Sequence, residues 1–115
     1  MPSDPMQLLQ GTLDVLVLKT LTWGPNHGYG VARWIRETTD DALAIEDGAL
    51  YTSLHRLERK GWVKGEWGVT DGGRRVKQYA ITAPGRRALQ SQASLWARYV
   101  TAVAKVLDPA PGSAT

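Results

Sequence analysis

Between positions 51 and 59 the segment YTSLHRLER interleaves Tyr51, Thr52, His55, Arg56 and Arg59 with leucines. Leu50, Leu54 and Leu57 stand at i, i+4 and i+7 and share one face of a helix. The other five side chains then point outward. They are donors, cations and a phenol, groups that donate to guanine or phosphate oxygens or touch a thymine methyl. A second basic group, Arg74, Arg75 and Lys77, follows the turn signal Asp71-Gly72-Gly73. At a hairpin tip it would reach a phosphate backbone or a minor groove. The two groups together point to double-stranded DNA as the partner.

No catalytic set competes with this reading. The chain has histidines only at 27 and 55, no cysteine, and no paired carboxylates in a suitable context. No metal-ligating cluster and no cofactor signature is visible. Gly28-x-Gly30 is not a dinucleotide fingerprint, because position 33 is arginine and no strand is expected before it. His27 reads as a capping or packing residue, and Trp62 and Trp67 as core or wing packing.

The charge distribution agrees. The net charge is +3 over 115 residues. Residues 1–46 hold three bases and six acids, whereas residues 47–87 hold nine bases and four acids. The excess of bases is concentrated where the outward residues lie. A solvated basic face is the bland explanation of such a block. No apolar run reaches the roughly 18 residues of a membrane span. The start MPSDPMQLLQ has no basic segment ahead of an apolar one, so a cytoplasmic protein is expected.

The elements that must position these residues follow from periodicity. Residues 7–22 read as a helix with Leu9, Leu13, Leu16, Val17 and Leu21 on one face. His27-Gly28-Tyr29-Gly30 opens a second helix to about Thr38, with Tyr29, Ala32 and Ile35 as its inner stripe. Asp47 is the expected N-cap of the third, and Gly61 its stop. Residues 62–67 and 76–81 alternate as two strands of a hairpin. Thr82 and Pro84 open a last helix to about Leu107, roughly 37 Å at 1.5 Å per residue. The fold expected is mainly α with a small β-hairpin, a winged helix-turn-helix plus a long C-terminal helix. Residues 1–82 would form the DNA-binding domain, 83–108 a dimerisation helix, and 109–115 a disordered tail. An alternative is a winged-helix protein-interaction module without DNA binding. It would need an acidic or apolar outer face on the third helix.

On the last helix Leu89, Ala93, Trp96, Val100, Val103 and Leu107 are spaced 4, 3, 4, 3 and 4, a heptad seam. A domain this small cannot cover that seam alone, and a symmetric homodimer is the simplest solution. Two recognition helices would then enter successive major grooves about 34 Å apart, on an inverted-repeat operator.

Four segments, GTLDVLVLKTL (11–21), HGYGVARWI (27–35), GALYTSLHRLERKGWV (48–63) and GGRRVKQYAITAPGRRAL (72–89), resemble the PadR family of bacterial transcriptional regulators. The single long C-terminal helix is similar to the small PadR-like subfamily. The resemblance implies a winged-helix dimer that represses transcription and leaves DNA on binding a small effector. It implies that Tyr51 is the recognition-helix tyrosine, that Arg74, Arg75 and Lys77 form the basic wing, and that Tyr79 packs beneath it. Thr52 stands where proline is common in the family. By the same resemblance a planar aromatic effector would lie at the dimer centre against Trp96, with Leu8, Asp14 and Tyr99 nearby.

Overall fold

The computed structural model describes residues 10–108. Leu8 and the tail at 109–115 lie outside the described residues. The order of elements is α1 (Gln10–Leu21), β1 (Asn26–His27), α2 (Gly28–Thr38), α3 (Asp47–Arg59), β2 (Val63–Val69), β3 (Arg75–Ile81) and α4 (Ala83–Leu107). The chain is mainly helical, with a small antiparallel sheet and a long C-terminal helix, as the periodicities predict. None of the described helices is long and apolar enough to cross a membrane.

One core holds α1 to α3 and the sheet together. Val17, Leu18, Val31, Leu50, Leu54 and Leu57 are fully buried, and Leu13, Leu21, Ile35, Val63 and Tyr79 nearly so. The leucine stripe of α3 lies inward as its spacing requires. The stripe of α2 is rotated from expectation. The helix begins at Gly28, and its buried positions are Gly28, Val31 and Ile35. Tyr29, one residue on and about 100° round, is 64% exposed.

Two caps also differ. Glu46, not Asp47, is the N-cap of α3, and its side chain makes no capping bond. Asp47 is the first helical residue, where its carboxylate still meets the positive end of the helix dipole. Thr82 caps α4 as expected, its hydroxyl accepting from Gly85 N at 3.1 Å. Gly61 ends α3 at φ +78°, a left-handed conformation that other residues adopt at a cost.

The sheet has a third strand. Asn26 and His27 pair with Tyr79 and Gln78, giving the order β1-β3-β2. Two residues carry no readable alternation, so periodicity gives no sign of the strand ahead of Gly28. The wing strands run longer than expected and close on a turn in which Gly73 N and Arg74 N donate to Thr70 O and Thr70 Oγ1.

α4 leaves the core after its first turns. Gly85 is its only fully buried residue among those described. The molecule measures 62 × 32 × 22 Å, with a radius of gyration of 16.6 Å. A compact chain of about this length would have roughly 13 Å, so α4 projects from the globule. Replacing fully buried Leu54 by alanine opens a cavity at the centre of the three-helix core. The expected loss is about 2–5 kcal/mol of unfolding free energy, read from urea denaturation.

Candidate nucleic-acid interface

α3 presents Tyr51, Thr52, His55 and Arg59 to solvent. They stand at i, i+1, i+4 and i+8, opposite the buried leucines, and surround a shallow depression of about 290 Å3. The phenol of Tyr51 lies over Gly28 at the start of α2. A Cβ added there would come within 2.8 Å of the Tyr51 hydroxyl oxygen. Glycine at 28 therefore leaves the space that the tyrosine ring occupies.

Arg56 is not part of this outward set. With Ser53, three residues earlier, it occupies the flank of α3 turned to α1. Arg56 Nε donates to Asp14 Oδ2 at 2.8 Å and Arg56 Nη2 to Asp14 Oδ1 at 2.6 Å. Ser53 Oγ donates to the same Oδ1 at 2.6 Å. The hydrogen bond with Asp14 raises the Arg56 pKa above its ordinary value. The two side chains are only 26% and 14% exposed. Removing either partner would leave a partly desolvated charge without its counterpart. Asp14, expected beside an effector pocket, faces α3 instead. The sequence does hold a signal for this pair. Asp14 is the lone charge between Leu13 and Leu18, and a carboxylate in so apolar a helix needs a cation from elsewhere.

The wing is built by register. Val63 pairs with Ile81, Gly65 with Tyr79, Trp67 with Lys77 and Val69 with Arg75. Alternation places all eight on one face of the sheet. Val63 and Tyr79 anchor that face in the core, and burial pushes the Tyr79 phenol up in pKa. Further out the same face overhangs α3. Lys77 Nζ is 3.2 Å from Glu58 Oε1 of α3 and 5.3 Å from the centre of the Tyr79 ring. The Arg75 guanidinium stacks 4.6 Å from the centre of the Trp67 ring. Trp67, expected to pack, is 61% exposed because the strands run past the edge of the core. Trp62, in contrast, is half-buried beside it, with Lys60 Nζ 4.6 Å from its ring centre. Arg74 is exposed, and its side chain makes no hydrogen bond or ion pair among the described residues.

Between α3 and the wing opens a cleft of about 840 Å3. Tyr51 and His55 line it from α3, Trp67, Arg74, Arg75 and Lys77 from the wing, and Tyr29 from α2. Thr52 and Arg59 border the adjoining depression, which shares Tyr51 and His55. The structure thus brings together seven of the eight expected contact residues and withdraws Arg56. Tyr29 and Trp67 join them; the sequence alone assigned both to packing. His27 caps α2 through Nδ1, which accepts from Gly30 N at 3.0 Å, and its ring lies 6.3 Å from that of Tyr29.

Comparison with known proteins decides the family that carries this aromatic and cationic cleft. The sequence pattern of the transcriptional regulator PadR-like family matches residues 17–91. The chain belongs to the PadR-like family. It is a transcriptional regulator, not an enzyme.

Relatives of known structure share the PadR-like architecture along most of their length. A transcriptional regulator from Clostridium thermocellum superposes with a TM-score of 0.79 at 27% identity, covering 86% of this chain and 96% of its own. A PadR family transcriptional regulator from Eggerthella lenta gives 0.74 at 31% identity, covering 90% and 88%. An uncharacterized protein of Lysinibacillus sphaericus is 32% identical over 91 residues, 78% of this chain and 83% of that relative.

The PadR-like α4 leaves its expected seam only partly covered. Leu89 packs on the core and Val103 is half-buried, whereas Ala93, Trp96, Tyr99 and Val100 are exposed. Trp96 Nε1 donates to Thr12 Oγ1 of α1 at 2.9 Å. Arg86 and Arg87 are exposed on the first turns of α4. Ser53→Ala, which removes a buried donor to the Asp14 carboxylate, is expected to lower unfolding free energy by about 1–3 kcal/mol. Chemical denaturation of the two proteins measures it.

Proposed function

We propose that this PadR-like regulator is a cytoplasmic repressor that binds an inverted-repeat operator as a homodimer. The observation that carries the reading is the shared cleft. Tyr51 and His55 of α3 face the same opening as Arg74 and Arg75 of the wing. Thr52 and Arg59 extend the α3 side, and Lys77 lines the wing side while tethered to Glu58. In this reading α3 enters a major groove and the wing grips the adjoining backbone. Arg56 drops out of the contact set.

The homodimer rests on the uncovered face of α4. Trp96 and Val100 are each 38% exposed, and Leu107 is 74% exposed. A second copy of the seam would bury them. The Trp96 indole N–H is already bonded to Thr12, so the free surface of the ring is apolar. That supports Trp96, with Tyr99 and its symmetry mate, as the seat of a planar aromatic effector that releases DNA.

Three outcomes are expected. Arg74→Ala with Arg75→Ala flattens the slope of log K against log salt by about 1.8, two phosphate contacts at roughly 0.9 each, while the circular dichroism spectrum is unchanged. Tyr51→Ala weakens operator binding in a gel shift without unfolding the chain. In sedimentation the wild type runs as two protomers and Val100→Asp as one. A wild-type monomer bound to a single half-site contradicts the dimer.

A further inference from the structure

Arg56 is a cation on the helix that the proposed function sets in a DNA groove, yet its charge is already matched. Asp14 holds it in the two-pronged geometry by which guanidinium groups grip carboxylates and phosphates alike. Ser53, fully buried, fixes the carboxylate from the same flank of α3. The other bases in this region are held less firmly or not at all. Arg74 and Arg59 have no ion pair among the described residues, and Arg75 rests on an aromatic ring. Lys77 meets Glu58 at a single oxygen.

We propose that Asp14 is a specificity-determining residue: its carboxylate occupies the Arg56 guanidinium and withholds from nucleic acid a cation that would add affinity for any sequence. The inference rests on the DNA-binding reading above. Its physical basis is that phosphate contacts supply affinity without sequence information, whereas base contacts discriminate. A free arginine on the flank of α3 would meet the sugar–phosphate backbone that borders the groove. It would strengthen cognate and unrelated duplexes together and narrow the ratio between them. Asp14 takes up the guanidinium edge that a phosphate would otherwise accept from, and Tyr51, Thr52, His55 and Arg59 remain to do the reading. Because α1 supplies the carboxylate, the bond also fixes the rotation of α3 relative to α1. Asp14 is thus a positioning residue for the outward set.

The test measures fluorescence anisotropy of the full chain with an operator duplex and with a scrambled duplex, across a salt series. Asp14→Asn removes the charge and keeps the shape. Its expected effects are a several-fold gain in affinity for the scrambled duplex and a salt slope steeper by about 0.9, one added phosphate contact. The operator-to-scrambled ratio falls. Arg56→Gln leaves the slope at its wild-type value, and the double variant Asp14→Asn with Arg56→Gln cancels the gain on scrambled DNA. A mere strut between helices would instead weaken both duplexes without steepening the slope, which overturns the proposal whatever the change in melting temperature. If Asp14→Asn does not fold, Arg56→Gln alone decides: a slope shallower by about 0.9 means that Arg56 already meets phosphate, and the proposal fails. A wild type that binds neither duplex overturns the DNA-binding reading and this inference with it.

Discussion

The burial of three leucines on α3 governs the rest of the molecule. Leu50, Leu54 and Leu57 have no exposed surface. Each contributes about 1.5–3 kcal/mol by leaving water, enough together to fix which way a helix of 13 residues is rotated. Once that rotation is set, Tyr51, Thr52, His55 and Arg59 can only face outward. Ser53 and Arg56 can only look sideways to α1. The outward face is then free for a partner, and the sideways face needs one inside the protein. Asp14 is that internal partner.

The wing obeys a second constraint that depends on the first. Tyr79 and Val63 lock the base of β2 and β3 onto the core beside α3. Alternation then carries Trp67, Lys77 and Arg75 along the same face past the end of the core. Their cations are each steadied by a neighbour, Glu58 or an aromatic ring. A restrained cation loses less side-chain freedom when it meets a phosphate than a freely rotating one. α1 ties the two ends of the molecule together, since Thr12 meets Trp96 of α4 while Asp14, two residues on, meets Arg56 of α3.

Much of this was legible in the sequence. The leucine spacing of α3, the Asp71-Gly72-Gly73 turn and the Thr82 cap each state a local rule that the tertiary structure obeys. Where sequence and structure part, the cause is common: periodicity groups residues on a face without saying what stands beside it. Tyr29 lies outside the core because the side of α2 that meets the other helices carries Gly28, Val31 and Ile35. Arg56 lies 500° along the helix from Tyr51, a flank position that pattern alone assigns to either side. Only a distant carboxylate, 42 residues away in sequence, settles it. Trp67 is exposed because the strands outrun the core, a length that alternation does not encode. β1 is too short to carry any period.

The proposed function makes the outward face of α3 and the wing one DNA-binding surface. NMR spectra of the labelled protein titrated with an operator duplex test it most directly. The account predicts the largest shifts at Tyr51, Thr52, His55, Arg59, Arg74 and Arg75 and at the Trp67 indole, with the Arg56 Nε signal nearly still. Shifts concentrated instead along α4 would contradict it.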